Sequence, residues 1–301
     1  MNMKKTTVIV LAALALAGTL LTAGPSGKMI QIKGSDTMVN LVQILAEAYM
    51  EKTPGAAIAV LGGGSGTGIT GLINQTCDIA DHSRDWKSKE IDQAWEKGVT
   101  PRPFVVAIDG VSIVVNEKNP IDQLTMAQVG AMYRGEVKNW KALGPFDKGV
   151  SLYGRQSNSG TYVFMQEHVL GNKNYSADMK EMNGNAQIIE GLLQDEGGIG
   201  YVGVGYLYDE NHQIRKGIKV LKISKEPNGT GYLPTDKAAV ASGAYPVSRP
   251  LYMSTNGKPT GQAAAFLQWI VGPEGQAIVE REGFFTIGDG KYKTENDKNF
   301  K

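Results

Sequence analysis

The chain has 301 residues, with 31 lysines and arginines against 30 aspartates and glutamates, and 38 glycines. That length fits one large domain or two ordinary ones, with enough chain for a sizeable core. The even charge balance argues against nucleic acid as a partner, because phosphate-backbone binders concentrate excess lysine and arginine. The glycine load points to tight turns and to places where backbone must approach something closely.

The N-terminus carries an export pattern. Lys4 and Lys5 precede an apolar run from Val8 to Leu21, and the small residues Thr22-Ala23-Gly24 follow. Cleavage after Ala23 defines a signal peptide over residues 1–23, with Ala15-Leu16-Ala17 as a competing cleavage site. The run is shorter than the span of about 20 residues a membrane helix needs, although an uncleaved anchor is the alternative. Loss of Lys4 and Lys5 leaves 29 basic and 30 acidic residues. No cysteine flanks the cleavage region to take a lipid, so a periplasmic or extracellular location is expected. Cys77 is the single cysteine. It has no intramolecular disulfide partner and reads as a small buried hydrophobe.

After the signal, short apolar runs alternate with helical patterns, which predicts an α/β class. Met29 to Lys33 is a strand, and Gly34-Ser35-Asp36-Thr37 opens a helix to about Lys52, with Val39, Val42, Leu45, Ala46 and Tyr49 at helical spacing. Ala56 to Leu61 is a second strand, then a glycine cluster and a helix from about Thr67 to Asn74. Val105 to Ile108 and Val111 to Asn116 are strands, Thr125 to Tyr133 a helix. Val150 to Tyr153 is a strand leading into Arg155-Gln156-Ser157-Asn158-Ser159-Gly160-Thr161, with a helix to about Val169. Ile199 to Val202 and Gly217 to Ile223 are later strands, and Pro246 to Met253 a strand or crossover. Gly261 to Glu282 is a closing helix broken at Gly272-Pro273. The charged tail from Lys291 is expected to fray.

Three segments share one design, a strand followed by a Gly/Ser/Thr turn and a helix start: Gly34-Ser35-Asp36-Thr37-Met38, Gly64-Ser65-Gly66-Thr67-Gly68 and Ser159-Gly160-Thr161. At a helix start the first N–H groups lack intrahelical partners and the macrodipole places partial positive charge there. Glycine admits a ligand to the backbone, and Ser and Thr add donors, which together suit an anion. Any one segment alone reads as ordinary capping. Arg155, four residues before Ser159, could reach the same anion with a two-bond fork; a surface salt bridge is its other reading. Gly66-x-Gly68-x-x-Gly71 matches the dinucleotide fingerprint, but an exported protein has little soluble nicotinamide to use. His82, His168 and His212 show no zinc spacing. No metal or cofactor is therefore expected. Without a nucleophile elbow, an exported phosphatase or esterase using Ser65 or Ser159 with His82 is a lesser alternative to a binding protein.

In this order and spacing, the segments resemble the phosphate-binding proteins of bacterial ABC phosphate uptake systems, over nearly the whole mature chain. Carrying the likeness are the three turns, Asp78-Ile79-Ala80 running to Ser83-Arg84, and Arg155. Leu124-Thr125 through Gln128 and Tyr133-Arg134-Gly135 to Trp140 adds to it, as do Gly198-Ile199-Gly200-Tyr201-Val202 and Glu274-Gly275-Gln276. The resemblance implies a two-domain periplasmic-binding-protein type II fold with the ligand in the cleft. Residues 29–110 plus 249–301 would form the first α/β domain and 111–248 the second. It implies inorganic phosphate as ligand, an ABC permease with a cytoplasmic ATPase as partner, a monomer, and no enzymatic activity. It also implies a site of Thr37, the Met38 N–H, Ser65, Ser83, Arg84, Arg155, Ser159, Gly160 and Thr161, with a bridge to Asp81 or Asp85 as the other reading of Arg84. One departure matters: the best-known members place an aspartate where this chain has Ser83, which leaves sulfate, phosphonates and molybdate-like anions as alternative ligands.

Overall fold

The computed structural model describes residues 29–301; the signal-peptide expectation for residues 1–23 lies outside the described residues. β1 (Ile30–Gly34) buries Ile30, Ile32 and Gly34 and leaves Gln31 and Lys33 half-exposed, the two-residue period of a strand with one face on a core. It lies parallel between β2 (Ile58–Leu61) and β3 (Ile79–His82). Between these strands, α1 (Val39–Lys52) buries Leu41, Val42, Leu45, Ala46 and Tyr49, and α2 (Ser65–Ile73) buries Ile69, Leu72 and Ile73. After α3 (Ser88–Glu96) come β4 (Pro101–Gly110) and β5 (Ser112–Asn116).

The middle of the chain supplies β6 (Gln123–Thr125), α4 (Met126–Tyr133), β7 (Ser151–Arg155), α5 (Gly160–His168), β8 (Lys180–Met182), α6 (Asn185–Gln194) and β9 (Gly198–Val202). It continues with β10 (Ile218–Val220), β11 (Lys222–Ser224) and α7 (Lys237–Ser242) before the chain returns through β12 (Ser248–Asn256). The result is two five-stranded sheets, ordered β2-β1-β3-β12-β4 and β10-β5-β9-β7-β8, with β6 and β11 paired separately. α8 (Gly261–Val271), α9 (Pro273–Arg281) and α10 (Lys291–Phe300) close the chain.

Two neighbouring strands join the sheets. β4 passes through Val111 into β5, and Val247 leads back into β12. The Val111 N–H donates to the Val247 carbonyl at 2.8 Å, and in the antiparallel register Ser248 faces Gly110 and Arg249 faces Asp109. A charged pair therefore sits at the crossing itself.

Some expectations need correction. The tail does not fray: α10 docks on β4, where the Asn296 side chain accepts from the Val105 N–H at 2.9 Å and donates to its carbonyl at 2.8 Å. Phe300 stacks on Phe104 with ring centroids 4.5 Å apart. One amide and one ring anchor a segment whose composition is polar. The predicted strand over 217–223 is interrupted at Leu221, so that β10 joins the second sheet and β11 pairs with β6. α3, α6 and α7 were not foreseen. α6 buries Ile188, Ile189 and Leu192, an apolar cluster close in sequence to the glycine-rich β9. Among the described residues no helix is long and apolar enough to cross a membrane.

Candidate functional site

The three turns meet. β1 ends at Gly34, whose φ of 147° and close fit against the Asp81 backbone leave no room for a β-carbon. The Ser35 N–H then donates to Asp81 Oδ1 at 3.0 Å, the Thr37 N–H to Ser35 Oγ at 3.2 Å and the Met38 N–H to the Ser35 carbonyl at 3.0 Å. Gly64, at a φ of 94°, swings β2 into α2 so that Ser65 becomes the first helical residue. From the other sheet, β7 ends on Arg155, and Ser159 caps α5 by accepting the Thr161 and Tyr162 N–H groups at 3.2 and 3.4 Å.

Hydroxyls from both sheets converge in the buried centre. Thr37 Oγ1 lies 2.9 Å from Thr161 Oγ1. Ser35 Oγ donates to Ser83 Oγ at 3.0 Å, Ser83 Oγ lies 3.3 Å from Ser65 Oγ, and the Ser83 N–H donates to Ser65 Oγ at 3.0 Å. Gly160 faces this serine trio so closely that a β-carbon there would lie 2.3 Å from Ser65 Oγ and 2.6 Å from Ser83 Oγ. Around the cluster the two halves bond directly: Gly66 N–H to the Asn158 carbonyl at 2.9 Å, and Asn158 Nδ2 to the Gly63 carbonyl at 2.8 Å. Asn185 Nδ2 and Tyr206 OH both donate to the Asp36 carbonyl, at 3.2 and 2.6 Å.

Two buried guanidinium groups flank the hydroxyls. Arg155 Nη2 donates to Asp36 Oδ2 at 2.5 Å and to the Asn183 carbonyl at 3.0 Å, and Nε to the Met182 carbonyl at 3.1 Å. Its Nη1 is buried and makes no hydrogen bond among the described residues. Arg249 donates through Nε and Nη2 to Asp109 Oδ2 at 3.1 and 2.9 Å, and through Nη1 to the Ser83 carbonyl at 2.9 Å. Nη2 also reaches Thr161 Oγ1 at 2.9 Å and Thr37 Oγ1 at 3.4 Å. Burial pushes the Arg249 guanidinium down from its usual value and Asp109 opposes that shift.

The structure thus brings Thr37, Ser65, Ser83, Gly160 and Thr161 into contact, with Ser159 capping the same helix start and Arg155 tied to Asp36, the residue before Thr37. Two expected residues are placed otherwise. The Met38 N–H is spent on Ser35 within the turn, and the side chain lies in the core. Arg84 turns to α3, where Nη1 and Nη2 fork onto Glu90 at 2.8 and 2.7 Å. Glu90 sits in the first turn of α3 and also accepts the Lys87 N–H, so helix capping draws the guanidinium away. Sequence reasoning missed Ser35, Asp36, Asp109 and Arg249. The last two were visible as charges inside apolar strand sequence, Val106-Ala107-Ile108-Asp109 and Val247-Ser248-Arg249-Pro250-Leu251, a pattern that calls for a buried counter-charge.

His82 does not join the hydroxyls. It is buried, its Nδ1 lies 2.6 Å from the Arg84 carbonyl and its Nε2 2.7 Å from Ser254 Oγ, and burial lowers its pKa to about 4. Cys77 is buried, and that burial pushes its thiol up to about 12. Among the described residues no cluster of His, Cys, Asp or Glu is placed to hold a metal ion.

A family model for the PBP superfamily domain matches residues 21–274. The phosphate-binding protein PstS of Pseudomonas aeruginosa is 31% identical over 283 residues, spanning 88% of this chain and 84% of that protein. The phosphate-binding protein PstS of Staphylococcus epidermidis is 31% identical over 271 residues, with 88% and 81% covered. Among solved structures, a Clostridium perfringens protein, described as a phosphate ABC transporter substrate-binding protein with bound phosphate, superposes with a TM-score of 0.75 at 27% identity. That match covers 86% of this chain and 100% of the other.

Proposed function

We propose, on the premise that this chain belongs to the PBP superfamily and within it to the phosphate-binding PstS proteins, that it captures inorganic phosphate between two lobes and delivers it to an ABC transporter. The family is one of substrate-binding proteins rather than enzymes, and the fold is its two-domain type II arrangement. The lobes divide at the two crossing strands, with residues 29–110 plus 249–301 on one side and 111–248 on the other.

One observation carries the reading: donors from both lobes converge on a single buried cluster, with Thr37 touching Thr161 across the lobes and a buried Arg155 Nη1 still free to donate. An oxyanion stripped of water needs its hydration replaced by hydrogen bonds. The hydroxyls of Thr37, Ser65, Ser83, Ser159 and Thr161, the Gly160 N–H and the unpaired Arg155 Nη1 supply them. Hydrogen bonds to a charged group contribute about 1.5–3 kcal/mol each, enough to cover micromolar binding near −8 kcal/mol after desolvation. Because the donors are split between lobes, the anion favours the closed arrangement and shifts a hinge equilibrium.

The serine trio matters for the choice of anion. Its hydroxyls can rotate to accept as well as donate, so one can take the proton that a hydrogen phosphate carries and sulfate lacks. A titration panel of phosphate, sulfate, methylphosphonate and molybdate by calorimetry and thermal shift tests this. Micromolar phosphate with sulfate at least tenfold weaker is the expected result. Absence of phosphate binding, or sulfate binding as tightly, overturns it. The Lys4-to-Ala23 pattern supports export to the periplasm or cell exterior, where such a protein meets its transporter.

A further inference from the structure

We infer that Arg249, at the crossing of the lobes, is a positioning residue for anion capture: it orients the hydroxyl pair of Thr37 and Thr161 so that the pair's one free proton is donated towards the ligand. The inference rests on the functional reading above and adds to it a residue outside the three turns.

A threonine hydroxyl has one proton and two lone pairs, so unaided it can present either to a ligand. A guanidinium only donates. Arg249 Nη2 donates to Thr161 Oγ1 and reaches Thr37 Oγ1, which occupies lone pairs on that pair. The two oxygens are 2.9 Å apart, so one hydroxyl donates to the other. Neither can donate to Arg249. The remaining proton therefore points away from the guanidinium, to an acceptor in the cluster. A site for an anion needs this polarity, because a lone pair aimed at the ligand would repel it.

The guanidinium is held for this task on every side. Asp109 takes Nε and Nη2, the Ser83 carbonyl takes Nη1, and the Phe164 ring lies 5.1 Å from the guanidinium carbon. Arg249 faces Asp109 across the two crossing strands, so it can serve one threonine from each lobe. Lysine could supply the charge there but not the fork.

The alternative is that Arg249 only neutralises Asp109, and the test separates the two roles. Asp109→Asn with Arg249→Gln removes both charges and leaves neither buried ion uncompensated. Phosphate affinity by calorimetry is expected to fall at least thirtyfold in this double variant while its melt remains cooperative. Affinity within threefold of the parent protein overturns the inference and leaves the functional reading intact. No phosphate binding by the parent protein overturns both. Arg249→Lys provides a second route: its loss and that of Thr161→Val should combine non-additively, the second substitution costing under threefold once the first is present. Fully multiplying losses would show that Arg249 does not act through the Thr161 hydroxyl.

Discussion

Asp36–Arg155 and Asp109–Arg249 are both carboxylate–guanidinium pairs within one cluster, the first with a half-buried carboxylate and the second buried throughout, and their nitrogens are spent differently. Arg249 has all three nitrogens engaged, on Asp109, the Ser83 carbonyl and the threonine hydroxyls. Arg155 has Nε and Nη2 engaged and Nη1 buried without a partner among the described residues. The first pair joins strands that face each other across the crossing; the second joins a turn of one lobe to a strand end of the other. A buried donor left unmade is expensive, and a fold that tolerates one beside a ring of hydroxyls has kept it for something that binds. Arg84 Nε is also buried without a partner among the described residues, so what distinguishes Arg155 is an unpaired nitrogen on a guanidinium tied to the turn that carries Thr37.

The comparison breaks most easily at Arg155. Arg155→Ala removes the spare Nη1 with its two N–H bonds and leaves Asp36 without its guanidinium. Two lost charge-assisted bonds amount to about 3–6 kcal/mol, so phosphate affinity should fall by two orders of magnitude or more. Calorimetry reads this directly. A loss below tenfold would mean that Nη1 faces no ligand and that the contrast between the two arginines has no functional content.

How much of this was legible beforehand follows from the same distinction. Ser159, Gly160, Thr161, Ser65 and Thr37 announce themselves because strand–turn–helix junctions need small residues and caps, a local rule that sequence carries. Arg155 is legible through its spacing from Ser159. Arg249 and Asp109 are 140 positions apart, and nothing local says that two isolated charges will face each other. Arg84 misled for the converse reason. It adjoins Ser83, but α3 was not read from its sequence, so its natural partner Glu90 was not in view. The polar tail was likewise misjudged, because its docking rests on long-range contacts of Asn296, Asn299 and Phe300 with β4 that its composition does not show. The turns and the elements flanking them were visible; α3, α6, α7 and the long-range charge pairing were not.

A third aspartate sharpens the contrast, since Asp81, buried like Asp109, pairs with no arginine among the described residues. Its Oδ1 accepts the Ser35 N–H, but burial dominates and pushes the carboxyl from the ordinary 3.8 up to about 8. The folded protein therefore holds a proton that the unfolded chain releases above pH 4. That contribution to stability is complete below 3.8 and is lost as pH rises through about 8. His82 titrates oppositely: its pKa is lowered from 6.5 to about 4, so it costs stability as pH falls across that interval. Between pH 6.5 and 8 Asp81 acts alone, and stability should drop by about 2 kcal/mol. Asp81→Asn should flatten that slope in urea melts at the two pH values. Equal slopes in both proteins would mean that Asp81 is ionised in its burial site and that the pairing of Asp36 and Asp109 gives them no special status.

The smallest effect belongs to the arginine outside the cluster. Arg84 adjoins Ser83 in sequence, and a site drawn from proximity along the chain would include it. Its Nη atoms instead fork onto Glu90 at the start of α3, and Nη1 also donates to the Asp85 carbonyl. Glu90 remains partly solvated, so the pair holds α3 against the loop rather than carrying charge to the hydroxyls. Arg84→Ala should lower the melting temperature yet change phosphate affinity by less than threefold, about 0.6 kcal/mol. A tenfold loss of affinity with an unchanged melt would place Arg84 beside Arg155 as a ligand contact. It would also show that a guanidinium with both Nη atoms engaged by protein can still bind an anion, against the premise on which the distinction between the arginines rests.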